Sequence, residues 1–242
     1  MSGLKAPEGN QKNFVAQELL ENGSYPARVV RVVDWGVQPQ PPFQGAAKPP
    51  AQMISVTYEF PEEFIKDEDG NDVENKPRWL SEAFPLRPLA SDLAKSTARS
   101  KAIDVEGKFG GDWSQYLGLP CEPVIGFYES KGKKYNTVKS VNPLRKAKAQ
   151  KLEELQNDAF FFDLQNPDRE AFDKLPKWEQ AKICSNLNFK GSKLFDILGG
   201  VAVVWEKGEA KEAPKEKQED NQQAPDAEAQ PDQEQAETEV PW

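Results

Sequence analysis

From Met53 to Phe60 apolar and polar side chains alternate, with Ile54, Val56, Tyr58 and Phe60 on one face and Ser55, Thr57 and Glu59 on the other. That period of two predicts a β-strand with one face in a core, and it assigns Tyr58 and Phe60 to that core. Tyr25 to Trp35 is rich in Val and interrupted by Arg28 and Arg31, a second strand pattern. Further strands are expected over 78–86, 121–129 and 134–141, the last two joined by the turn Ser130-Lys131-Gly132-Lys133. Ser91-Asp92 can cap a helix from Leu93 to Ile103, and 113–118 reads as a helical turn. The Pro-rich stretch 38–50 cannot be regular structure. Asp67 to Asp72 lacks the spacing of a calcium loop and reads as a hairpin turning at Asp69-Gly70.

Five strands with a helix between the third and fourth follow the order of an OB-fold-like five-stranded Greek-key barrel. The expected class is mainly β, with this barrel over 21–150, although SH3-like barrels and β-sandwich fragments share short strands and Gly turns. Residues 1–20 read as a flexible arm, with a short helix over 13–21. Residues 151–205 read as a helical appendage: Asn166-Pro167-Asp168 is a helix start with Asn as N-cap, Leu175-Pro176 restarts a second helix, and Gly191-Ser192 precedes a third. The appendage either packs on the barrel or serves docking or self-association, so a homodimer stays open. Val201–Trp205 is a last strand or the root of the tail.

Residues 206–242 read as a disordered acidic tail. From Glu219 to Trp242 there are eight acids and no Lys or Arg, in a Gln/Pro/Ala-rich setting that cannot bury enough apolar surface to fold. The whole chain carries −9, this stretch supplies −8, and residues 1–218 are left at −1. The acidity belongs to the tail and does not argue against a basic groove on the body. Glu237 and Glu239 with Val240, Pro241 and Trp242 form an acidic run with an apolar hook, the pattern of an interaction tail.

Composition narrows the chemistry. The chain has no His, which removes Ser-His-Asp and Cys-His catalysis and leaves a typical zinc site short of ligands. Cys121 and Cys184 lie far apart and read as two buried reduced thiols. There is no phosphate loop and no GxGxxG. A polar N-terminus and the lack of a long apolar run point to a soluble, cytoplasmic protein that is no enzyme, holds no cofactor or metal and contacts no membrane.

Between Ile125 and Lys151 eight bases stand against the one acid Glu129, a charge of +7 in 27 residues. Lys131, Lys133, Lys134, Lys139, Arg145 and Lys146 belong to that run, and Tyr128 and Tyr135 flank its hairpin turn. Along 134–141, Tyr135 and Lys139 share one face by period two. An aromatic beside a cation can stack on a base and meet a phosphate, the chemistry of single-strand binding. Tyr25, Arg31 and Trp35 share a face of the first strand, with Arg28 beside them, and Arg87, Lys95, Arg99 and Lys101 extend the set on and before the helix. Trp79 and Trp113 read equally as core anchors or platforms.

The segment Gly23 to Asp34, the strand pair around Gly132-Lys133-Lys134-Tyr135-Asn136, and the acidic tail with an aromatic terminus together resemble a phage-encoded single-stranded DNA-binding protein. The resemblance covers residues 20–142 and the tail. It departs in ending on Trp where such tails usually carry Phe, and in the Pro-rich 38–50 loop. It implies sequence-independent binding of single-stranded DNA in phage replication, recombination or repair, in the cytoplasm of an infected host. It also implies a tail that competes with DNA for the basic groove and recruits a polymerase, helicase or nuclease. A recombination mediator or annealing protein is a close alternative; a DNA mimic or a protein–protein adaptor is a different one.

Overall fold

The structure, a computed structural model, describes residues 17–205. Most of the expected arm, and the acidic tail with Glu237, Glu239, Val240, Pro241 and Trp242, lie outside the described residues. The short strand β1 (Gly23–Ser24) leads into β2 (Ala27–Gln38), β3 (Ala51–Lys66) and β4 (Asp72–Pro85). Helix α1 (Lys95–Ile103) and a 3-10 turn (Trp113–Tyr116) precede β5 (Pro120–Ser130) and β6 (Lys133–Asn142). Then come α2 (Lys146–Ala149), β7 (Phe160–Phe162), α3 (Arg169–Asp173), α4 (Lys177–Cys184) and α5 (Lys193–Ile197). The fold is mainly β. One sheet runs β1-β5-β2-β3-β4, with β6 added to β5 and β7 to β2. Every ladder is antiparallel except β2 with β7.

All five expected strands are present, and most are longer than their patterns suggested. The β3–β4 hairpin continues to the pair Lys66↔Asp72, where the Asp67 carboxylate accepts from the amides of Asp69 and Asn71 and Gly70 takes a positive φ. The alternating face of β3 points into the main core: Ile54, Val56, Tyr58 and Phe60 pack there with Val29, Val32, Phe84, Ile125 and Val138. Trp113 is buried in the same core beside Phe84.

The opposite face of β3 is also covered. Ser55, Thr57 and Glu59 are buried, and the chain after α2 crosses at Glu59. Two side chains pin that crossing. The Arg28 guanidinium donates to the carbonyls of Leu152 and Glu153, and the Glu59 carboxylate accepts from the amides of Gln156 and Asn157.

Strand β2 is buried on both faces, including its two arginines, Arg28 and Arg31. Its second face meets β7 and helices α3 to α5, making a second core of Val33, Trp35, Phe162, Phe172, Ile183 and Leu194. The three expected appendage helices therefore exist, and they pack on the sheet. Asp168, not Asn166, caps α3, its carboxylate accepting from the Ala171 amide 2.7 Å away. Helix α1 has no side-chain cap: Ala94 occupies that position in place of Ser91-Asp92. Val201–Trp205 form no strand, and Val203 packs against the second core.

Strands β4 and β6 end the sheet and approach one another without a ladder. Residues 17–20 lie between them and are not helical. The Asn136 side-chain amide exchanges two 2.8 Å hydrogen bonds with the Leu20 backbone, and Arg78 donates to the Glu18 carbonyl. Leu20 is buried in the main core, so this end of the expected flexible arm is held in place.

Candidate nucleic-acid interface

Tyr128 and Tyr135 are directly opposite in the β5–β6 ladder. Their rings stack at a centroid separation of 5.2 Å and an interplanar angle of 23°. Ile125 and Val138, of opposite parity in their strands, point into the core, so the tyrosines lie on the outer face of the ribbon. Lys139 occupies a bulge on β6. Its aliphatic stem crosses Gly126, where a Cβ would come within 2.7–2.9 Å of it. Glycine there lets the lysine lie flat on the tyrosine face. Lys133 follows the same parity from Tyr135, and Lys131 and Lys134 stand exposed at the turn. Lys131 and Gly132 both have positive φ, which is what turns the hairpin so tightly.

Electrostatics separates this end of the basic run from the other. Lys131, Lys133, Lys134, Lys139 and Arg145 form no salt bridge among the described residues. At the far end, Lys146 pairs with Glu106 at 3.2 Å and Lys148 with Glu122 at 3.1 Å. Among the described residues, the bases at the turn and along β6 therefore stand without an acidic partner.

The other sequence candidates do not join this face. Arg28 is buried, with three main-chain carbonyls and Glu154 around its guanidinium. Arg31 and Trp35 are buried as well, and both donate to Glu179 of α4, which is 0% exposed. Arg99 is buried in an ion pair with Glu82 at 2.9 Å, and Lys95 reaches the same carboxylate. Burial works to raise the Glu82 carboxyl, but Lys95 and Arg99 outweigh it and hold it below its ordinary value. Trp79 is half-buried and donates its indole N–H to Glu59. Tyr25 is half-buried against Phe60. Lys101 pairs with Asp92, and Arg87 lines a small cavity beside Trp113. Arg28, Arg31, Trp35 and Arg99 are thus corrected to structural residues: the appendage, the crossing segment and α1 cover the faces that alternation alone had left open.

Two residues that matter here were not singled out in the sequence, Gly126 and Gly36. A glycine inside a strand often marks a close approach. At Gly36, with φ +75°, a Cβ would meet Asn186 and Leu164 within 2.9 Å. That contact seats the appendage on β2. Cys121 and Cys184 are free and buried, and burial pushes both thiols above their ordinary value. No group of His, Cys, Asp or Glu among the described residues is arranged to hold a metal ion. No helix among them is long and apolar enough to cross a membrane. No protein-family model matches the chain, and no curated protein matches it.

Proposed function

We propose that this chain binds single-stranded DNA without sequence preference, through the outer face of the β5–β6 ribbon. The carrying observation is the stacked Tyr128–Tyr135 pair beside Lys133 and Lys139, with further unpaired bases at the turn. Aromatic rings accept any base, and cations beside them meet the backbone. The barrel reading is of the OB type. Its support is the meander β2-β3-β4, the return of β5 to β2, the helix between β4 and β5, and the approach of β6 to β4. In this reading the protein serves phage replication, recombination or repair in the host cytoplasm. The acidic stretch 219–242 competes for the basic ribbon at an effective concentration of about a millimolar and, when released, recruits a replication protein.

The test is fluorescence anisotropy of a labelled dT oligonucleotide, with a duplex of equal length as control, at about 50 and 200 mM salt. A label on the DNA is the better reporter, since Trp35 and Trp113 are buried and no Trp lies on the ribbon. Tight binding of the single strand, weak binding of the duplex and a steep loss with salt support the reading. Deleting 219–242 is expected to tighten binding at low salt. Absence of single-strand binding in both the full chain and the deletion overturns it.

A further inference from the structure

A second surface lies where the barrel meets the appendage. A groove of about 540 Å³ runs there, floored by β2 and β3 and walled by the 3-10 turn, the segment after β7 and the loop after α4. It adjoins a smaller cavity of about 330 Å³, the two sharing Gln52, Leu86, Gly111 and Trp113. Asp34, Asp112 and Asp163 line the larger groove, and no Lys or Arg does. Its lining charges are opposite in sign to those of the ribbon, with Lys193 at the Gln165 carbonyl and Arg87 in the adjoining cavity as the cations nearby. The Asp34 carboxylate is held by the Gly36 amide and by Gln52, which fixes it at the floor. The side-chain amides of Asn188 and Gln165 also line the wall, while the Asn186 amide is held by the Ile183 carbonyl and the Asn188 N–H.

The rim is apolar. Phe161 lines the groove and is 40% exposed; Leu187, between the two lining asparagines, is 56% exposed; Leu89, on the smaller cavity, is 40% exposed. Phe161 and Leu89 line the two adjoining cavities, whereas single exposed apolar residues such as Leu187 need no explanation. Acid inside and apolar at the edge is the complement of a peptide that alternates Lys or Arg with Leu-like residues.

We propose that this groove docks a basic, apolar peptide segment of a partner protein, its Arg or Lys side chains entering between Asp34, Asp112 and Asp163 and its apolar side chains resting on Phe161 and, in the adjoining cavity, Leu89. The site is separate from the DNA ribbon, and the two can be occupied together. The occupant is a protein segment because the apolar rim adds contact area that a bare cation cannot use.

The test follows the amide and indole signals of the isotope-labelled full chain by NMR while the peptide acetyl-Leu-Arg-Leu-Arg-amide is added. Acetyl-Leu-Glu-Leu-Glu-amide and spermidine are the controls. The expected result is a saturable shift of the Trp113 indole and of the Asn186 and Asn188 amides with the arginine peptide alone. Asp112→Asn with Asp163→Asn, and separately Leu89→Ser, are each expected to weaken it at least five-fold, while dT binding stays unchanged. Asn keeps the capping oxygens that Asp112 and Asp163 supply to their own loops, and Leu89 is exposed, so these variants fold. The proposal is overturned by no shift, by shifts elsewhere, by an equal response to spermidine or the glutamate peptide, or by variants without effect. It is also overturned if the groove signals depend on protein concentration, which would assign the surface to a second copy of this chain. Measuring dT binding on the same samples keeps its failure distinct from failure of the single-strand reading.

Discussion

The β5–β6 ribbon and the outer face of β2 carry the same kinds of residue and use them in opposite ways. Both present aromatics and cations at alternate positions: Tyr128, Tyr135, Lys133 and Lys139 on one, Arg31 and Trp35 on the other. On the ribbon the cations have no acidic partner among the described residues and the rings stack on each other in partial exposure. On β2 the cation and the indole N–H meet the one buried carboxylate of Glu179, and a second hydrophobic core closes over them. Residue type and period are thus necessary for a binding face and insufficient for one. What decides is whether a later segment of the same chain supplies the counter-charge.

The comparison is broken most severely at Glu179. Glu179→Ala removes the buried carboxylate that Arg31 and Trp35 share, a change that costs about 3–5 kcal/mol, read as a lowered urea midpoint. Replacing both, Arg31→Met with Glu179→Leu, is expected to restore most of that loss, since an apolar pair of similar volume avoids the desolvation. Both variants should leave dT affinity unchanged while folded; a large change in affinity would place β2 back in the interface.

The ribbon gives the reverse outcome. Tyr128→Ala and Tyr135→Ala are each expected to weaken dT binding by about 1–3 kcal/mol with little change in melting temperature. Lys133→Ala with Lys139→Ala removes two phosphate contacts, so the slope of log affinity against log salt should become shallower by about 1.4. An unchanged slope removes these lysines from the interface.

A third cation cluster gives the smallest effect, visible only in acid. Glu82 sits between Lys95 and Arg99 with its folded pKa below the unfolded one. Its contribution is therefore present above the unfolded carboxylate value of about 4.3 and is lost as pH falls through the lower folded value. Thermal melts of the wild type should drop over that window, and those of Glu82→Gln should drop less. Parallel curves would show that Glu82 is not what acid titrates.

Much of the architecture was legible. Alternation placed Ile54 to Phe60 in the core, Asp69-Gly70 turned its hairpin, and the five strand patterns each became a strand. Boundaries ran short because β3 runs on through an irregular stretch in which only Phe64 and Lys66 find partners, Pro77 and Asp72, which composition cannot reveal. The three-residue β7 was invisible, since Phe160 to Phe162 is a strand only by pairing with Arg31 to Val33. Of the candidate site, Tyr128, Tyr135 and the lysines around the turn are local, a hairpin written into consecutive residues, and they came together as the pattern implied.

By itself the sequence determined the elements whose cause is local: the strand periods, the glycine turns, the basic run from Lys131 to Lys151 and its separation from the acidic 219–242. Only the tertiary structure decided which face of each strand stays open. Arg28 is closed by carbonyls more than 120 residues downstream and Arg31 by a carboxylate 148 residues away. A buried charge must find a partner wherever the fold can bring one, and no periodicity in the strand records where that partner lies.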